Sequence, residues 1–550
     1  TFARIVARMV AEEDYMVDKY VLKHNGDKMK IAIITGRENH DSIIEPGVSC
    51  ADPFLPDTIN ITEKNFGRIK EYYDENSFIN SREMPELKEI KRISIAPANP
   101  HWSPIIPADF ELYQLRDAKK IRYKGMEGRD FIFYHRKPGC SYYDQYLAYI
   151  LADTIIFNSA KYKLECEMGR KPYTDVEIID EADDFLDSLS NQSDINLMRL
   201  SSSLKLIKSE SKKTENTIME ILNLIDLEEK NKKALGVDKD KIFRIEETKI
   251  SEILDAISKN SELESEILLD ETNYANRIIE AAKIFKNNEE VYVTFRKKDD
   301  ALHATLITTN LAKKVEDIVL RNKAIVFMSG TLHSEDVLKN IFGISDFKIV
   351  EAETINQGSV EIQKTGKEFD CKYSNFSSKI FSRREYFNAL SLCLEKAKKP
   401  VLIHVNAFED LPNKIEIEEY NITNIISSDK LKEIQNEDKI GKRVQMFKEG
   451  KIEFLFTTKC NRGIDFPGET CNSVIFTKYP NPNVNNVFWK ILKKTHPSHY
   501  WSFYKDRSKR EFLQRIYRAV RTPDDHVYIL SPDSRVLDSV REFQINGKIK

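Results

Sequence analysis

The stretch IIDEADDF, residues 178 to 185, decides the fold. Ile178 and Ile179 are β-branched and apolar, and they run directly into Asp180, Glu181, Ala182 and Asp183. A buried strand therefore ends in a cluster of carboxylates. An acidic loop is the plain reading of such a run. In an α/β protein, however, ligands gather at the carboxyl ends of the strands, and a hard cation needs carboxylate oxygen, directly or through its waters. Asp180 then suits Mg2+ bound through water, and Glu181 suits the base that positions an attacking water, with Asp183 beside them.

Composition narrows the setting. A chain of 550 residues is too long for one core, and ~150 residues per domain gives three or four units. Hydrophobic residues are 41% and charged residues 31%, which describes a globular chain and excludes a disordered one. The 85 basic and 88 acidic side chains leave a net charge of -3, so any nucleic-acid surface must be local. Cys50, Cys140, Cys166, Cys371, Cys393, Cys460 and Cys471 are scattered, odd in number and lack a CxxC pair, which points to a reducing cytoplasm. No run approaches the ~20 apolar residues of a membrane span.

Helical spacing marks FARIVARMVAEE (2 to 13), and KMKIAIITG (28 to 36) reads as a buried parallel strand. Residues 45 to 140 read as irregular and Pro-rich. A helix and the strand DTIIFNSA precede the acidic stretch. From 186 to 290 long polar and Leu-bearing segments show helical periodicity and almost no strand signal, which predicts a separate helical insertion. Strand signals return in KAIVFMSGTL, KPVLIHVNAF, IEFLFTT, NSVIFTKYP and HVYILSP, alternating with helical stretches as in a parallel sheet wrapped by helices.

Three further motifs follow the acidic one: MSGTL (328 to 332), TTKCNRGIDFPG (457 to 468) and QRIYRAVR (514 to 521). In order and spacing, the set resembles the XPD/DinG family of superfamily 2 DNA helicases, the iron–sulfur type. GCSYYDQYLAYILADTIIFNSAKYKLE resembles that family's lead-in to its acidic motif, and 186 to 290 falls where the family carries its arch. The resemblance covers nearly the whole chain.

It implies α/β architecture with two RecA-like parallel-sheet motor domains, a helical arch insertion and an irregular cluster-like insertion. Motor domain 1 spans 1–185 and 291–345, interrupted by a degenerate iron–sulfur-like insertion at 45–140; the arch is 186–290 and motor domain 2 is 346–550. Ser329 and Thr331 couple hydrolysis to movement, or simply cap a turn. Arg518 and Arg521, three apart on a predicted helix, serve as arginine fingers toward the γ-phosphate, or form a solvated basic face. Gln514 contacts nucleotide or couples, and Asp465, after the Gly463 turn, binds ribose or relays the arginines. Tyr517 stands where the family has Gly. For DNA, Tyr479, Trp489, Lys493 and Lys494 interleave aromatic and basic character, with Asn406, Phe408 and Thr458 at neighbouring motif positions; core packing is the competing role for the aromatics.

Two departures qualify the resemblance. The sequence contains no GxxxxGK[ST] loop to cradle phosphates; either Thr1 is that loop's own last residue, with the rest upstream, or the chain is a loop-less relative. The family's cluster takes four thiolates, whereas Cys50 and Cys140 match only the outer pair, so a cluster is expected to be absent, with Tyr142 and Tyr143 filling its place. The reading is an ATP- and Mg2+-dependent helicase or translocase on single-stranded or forked DNA, 5′ to 3′ by resemblance, cytoplasmic and without membrane contact. The alternative is a catalytically inactive nucleic-acid-binding scaffold that kept the fold.

Overall fold

The computed structural model describes residues 22–43, 45–52, 66–74, 99–110, 112, 115–189, 192–207, 209, 211–238, 240–269, 273–285, 290–320, 322–350, 358–438, 441–460 and 463–549. The helix expected over 2 to 13, and Thr1 with it, lie outside the described residues. The chain divides into two compact units, with the break after Phe327.

The first unit carries β1 (Ile31–Ile34), β2 (Ile105–Pro107), β3 (Lys119–Lys124), β4 (Asp130–His135), β5 (Thr154–Phe157), β6 (Val176–Ile179), β7 (Gln192–Asn196), β8 (Ile242–Arg244), β9 (Val291–Lys298), β10 (Ala301–Thr308) and β11 (Ala324–Phe327). β1 pairs in parallel with β5, and β6 in parallel with β11. The stretch read as irregular holds the antiparallel sheet β2-β4-β3, because KKIRYK and DFIFYH form adjacent ladders. Its core joins Trp102, Ile106, Phe133 and Tyr134 to Tyr142, Tyr143 and Tyr146.

The region read as helical also needs correction. Its helices share one apolar core with the antiparallel sheet β7-β10-β9-β8, Leu200, Ile221, Ile253 and Ile278 packing with Val293, Phe295 and Leu306. The β9–β10 hairpin closes on Asp299 and Asp300, both at positive φ (49° and 59°). Two consecutive left-handed residues are what a two-residue hairpin turn requires, and Asp tolerates that region without the usual Gly.

A buried ion cluster holds the helix Ser159–Glu167 in place. Glu165 is fully buried and meets the Lys161 ammonium and the Arg170 guanidinium, each at 2.8 Å. Burial alone would raise its pKa, but Arg170 and Lys161 hold it down to about 2.

The second unit is built on β12 (Ser359–Ile362), β13 (Val401–His404), β14 (Phe454–Thr457), β15 (Ser473–Phe476) and β16 (His526–Leu530). All pair in parallel, in the order β12-β16-β15-β13-β14. Side chains alternate between faces along a strand. Leu402, Val474 and Ile529 enter one apolar cluster with Phe466, Phe512 and Ile516, whereas Val401, Ile403, Ile475 and Leu530 enter another with Tyr386, Phe387 and Leu390. Both faces are covered by helices, which is why these strands read as continuous apolar runs. The expected α/β class with parallel sheets is what the chain adopts.

Glu165→Ala should lower unfolding free energy by about 3–5 kcal/mol, since it strands the buried Lys161 ammonium and the half-buried Arg170 guanidinium. The sign with pH follows from the depressed value. The contribution is present above the ordinary 4.5 and is lost as pH falls toward 2. Urea denaturation of both proteins across that range checks it.

Candidate functional site

In the second unit Ser329, Thr331, Gly463, Asp465, Gln514, Arg518 and Arg521 come together at one place. The helix Pro497–Ile516 starts with Pro in its first turn and ends one residue before Tyr517. The sequence spacing puts Arg518 and Arg521 on that helix; they lie beyond it, in the turn and loop that follow. The cause is Asp525, whose buried carboxylate accepts the backbone N–H of Arg521 at 2.5 Å, of Thr522 at 2.6 Å and of Gly468 at 2.7 Å. Burial would raise the Asp525 pKa, but these N–H donors leave it lowered. The stretch TPDDH carries no local mark of this role.

Around that turn a continuous polar chain forms. Gln514 donates from Nε2 to Thr331 Oγ1 at 2.5 Å and accepts from Arg518 Nη2 at Oε1, 3.0 Å. Arg518 Nη1 donates to Asp465 Oδ1 at 2.9 Å, and Arg521 Nη2 donates to the same oxygen at 2.6 Å. Ser329 Oγ accepts the Thr331 N–H at 3.1 Å. Asp465 reaches the arginines because Gly463 turns the chain at φ 72°, a left-handed conformation that Gly adopts freely. The Phe466 N–H then donates to the Arg518 carbonyl at 2.7 Å, stitching the two segments together.

Exposure separates the two arginines. The Arg518 side chain is 6% exposed and Arg521 34%, with Asp465 at 46%. The two guanidiniums share the Asp465 carboxylate, and Arg521 is the more exposed of the pair. Tyr517 fits its position by turning its hydroxyl to the Lys548 carbonyl at 2.8 Å.

In the first unit, β6 ends at Ile179 and Asp180 is exposed. Its Oδ1 accepts the Glu181 N–H at 2.9 Å. Glu181 is left-handed at φ 49°, ψ 46°, and precedes the helix Ala182–Asp187, whose Asp183 is fully buried. A non-glycine residue held there costs roughly 1–2 kcal/mol, the kind of strain that collects at functional turns. Within β6, buried Glu177 pairs with the Lys171 ammonium at 2.5 Å and accepts a hydrogen bond from the Tyr162 hydroxyl, so the strand is anchored just before its acidic end. The oxygen donors of Asp180 and Glu181 fit a cation that takes one or two carboxylates and completes its shell with water and phosphate.

The nucleic-acid candidates divide. Lys493 and Lys494 are exposed on the helix Val487–Thr495. Asn406 is half-buried, its N–H bonded to Thr477 Oγ1 at 3.1 Å; Thr458 donates to Gln435 at 2.8 Å, and Phe408 lies under the Lys432 ammonium. Tyr479 is largely buried against Phe512, and burial pushes its hydroxyl up to about 12. Trp489 is 3% exposed, enclosed by Phe488, Tyr500, Phe503 and Tyr504. It is a core residue with no face open to a base, which corrects the sequence assignment; aromatic spacing alone does not separate a stacking platform from a core.

Cys50 and Cys140 come together, thiol hydrogen-bonded to thiol, in the core of the first unit. That bond, aided by the N–H groups of Tyr143 and Tyr142 and by Arg37, lowers the Cys140 pKa to about 6 against the opposing effect of burial. The pair supplies two of the four thiolates that an iron–sulfur cluster takes.

Residues 390–546 match the family Helicase C-terminal domain. No curated protein matches the chain. Among solved structures, an XPD helicase matches at 16% identity, covering 74% of this chain and 73% of that one, with a TM-score of 0.43. An apo XPD matches at 15% identity over 74% and 83%, TM-score 0.45, and S. tokodaii Xpd4 at 16% over 73% and 81%, TM-score 0.42. Among the described residues no helix is long and apolar enough to cross a membrane.

Trp489→Ala should cost about 3–5 kcal/mol of stability, as for a core aromatic. Lys493→Ala and Lys494→Ala, on exposed side chains, should leave the thermal midpoint unchanged. Melting curves separate the two classes. The stretch 390–546 that matches the Helicase C-terminal domain contains the motif residues Asp465, Gln514, Arg518 and Arg521.

Proposed function

We propose that the chain is an ATP-dependent DNA helicase or translocase of the XPD/DinG type, acting 5′ to 3′ on single-stranded or forked DNA. The observation that carries this reading is the polar chain from Thr331 through Gln514 and Arg518 to Asp465 and Arg521. A scaffold that only binds has no use for two guanidiniums held on one carboxylate and linked to the SGTL segment.

Each residue has a defined task. Asp180 holds Mg2+ through water, and Glu181 takes a proton from the water that attacks the γ-phosphate. Arg521 supplies positive charge as negative charge develops on the transferred group. Arg518, buried on Asp465 and Gln514, fixes the position of that charge. Thr331 and Gln514 pass the resulting shift toward the loop beginning at Ser329. Local cations such as Lys493 and Lys494 attract the DNA backbone, since a net charge of -3 supplies no general attraction.

The test uses this chain preceded by a GxxxxGK[ST] segment, the one required element its sequence does not contain. Glu181→Gln should abolish hydrolysis and leave ATP binding intact, because the amide keeps the shape and loses the base. Arg521→Ala should lower the catalytic rate by something like 10³-fold with single-strand binding retained. If both variants hydrolyse ATP as the parent does, or the parent does not hydrolyse it at all, the inactive scaffold replaces this reading.

A further inference from the structure

A cavity of about 410 Å3 lies inside the first unit, where the helices Lys249–Ser258 and Asn276–Phe285 meet the helices Ser159–Glu167 and Leu311–Val319. None of its lining residues has a part in the proposed reaction. Phe185, Leu189, Ile257 and Ile279 give it a buried apolar wall, and exposed Glu127 and Ser258 line it toward solvent. Its size falls within the ~300–1,000 Å3 of small-molecule sites.

The basic side chains that line the cavity differ in how their charge is met. The Lys283 ammonium pairs with Glu264 at 2.7 Å, and the Arg129 guanidinium pairs with Asp109 and Glu264 at 3.2 and 3.5 Å. Lys163 donates to the Ser188 hydroxyl and lies 5.2 Å from the Phe185 ring centre, and Lys314 lies 5.5 Å from the Phe285 ring centre. Among the described residues neither of these two closes an ion pair with a carboxylate. Glu167 and Asp317 act on Lys314 from further away, as Asp184 and Glu167 do on Lys163, and the two ammonium groups act on each other. Burial lowers the pKa of both lysines and raises that of Glu167, so the charged forms here are short of counter-charge.

We propose that this cavity binds a small amphipathic monocarboxylate, its apolar body against Phe185, Leu189, Ile257 and Ile279 and its carboxylate at the ammonium groups of Lys163 and Lys314. One negative charge suits the site better than two. Glu167, Asp184 and Asp317 already stand near the lysines, which leaves little surplus charge for a phosphate dianion, and a Lys ammonium lacks the fork with which Arg holds phosphate. Affinity then comes from burying the apolar body, and orientation from the lysines. The inference rests on the first unit alone and does not depend on the helicase reading.

Calorimetric titration of the full chain with octanoate and decanoate, below their micellar concentrations, tests it, with octanol as the uncharged comparison. The expected result is one saturable site per chain, tighter for decanoate by about fourfold per added CH2 that is buried, and far weaker binding of octanol. Lys314→Met and Lys163→Met, which keep the alkyl stem and lose the charge, should each weaken octanoate by about tenfold, the scale of a lost charge-assisted hydrogen bond, and leave octanol where it was. Lys314→Arg should retain octanoate binding. Melting curves check that each variant is folded, and the comparison of octanoate with octanol needs no variant. The proposal is overturned if octanoate shows no saturable binding, if octanol binds equally well, if octanoate affinity is unchanged in either methionine variant, or if a single-stranded oligonucleotide displaces octanoate, which would make the cavity part of a nucleic-acid path.

Discussion

The Asp465 carboxylate organises the second unit's functional end. One of its oxygens receives both Arg518 and Arg521, and Arg518 in turn fixes Gln514, which donates to Thr331. Three sequence motifs far apart in the chain thereby become one hydrogen-bonded object. Removing the carboxylate takes one hydrogen-bond acceptor from each guanidinium and frees Arg521 from the position that Asp465 sets. The parallel sheet exists, from this viewpoint, to deliver those segments to one end. Covered on both faces, it is rigid enough to hold donor and acceptor atoms at 2.5–3.0 Å.

The two arginines illustrate how burial assigns roles that sequence spacing leaves equal. Three residues apart, they look like partners on one helix face. Asp525 takes the backbone N–H groups that a continuing helix would have used, so the chain leaves the helix and presents one guanidinium inward and one outward. The inward one is a positioning group; the outward one can act on a ligand. A comparable device operates at Glu181, where a left-handed turn at the end of β6 sets the acidic pair.

Much of this was legible in the sequence, for physical reasons that can be named. Strands such as VLIH and SVIF are apolar at almost every position because both sheet faces are covered, and such runs announce themselves. The antiparallel strands were harder. KKIRYK alternates exposed Lys and Arg with Ile121 and Tyr123, and its charge concealed the pattern; the Asp299–Asp300 turn carries none of the Asn-Gly or Asp-Gly marks of a hairpin. Trp489 failed in the opposite direction, since an aromatic among lysines has the same spelling whether it faces a base or Phe503. Interactions made only by folding, such as Asp525 on three amides or Cys50 on Cys140, leave no local trace.

The central claim is that Asp465 sets the arginines for phosphoryl transfer. The most direct measurement is single-strand-stimulated ATP turnover by the loop-bearing chain and its Asp465→Ala variant, with nucleotide binding and melting followed in parallel. The account predicts a fall in turnover of at least 10²-fold with ATP still bound and the fold retained, since a misaligned charge costs that scale of rate. Turnover within a factor of about two of the parent, in a folded variant, would contradict it.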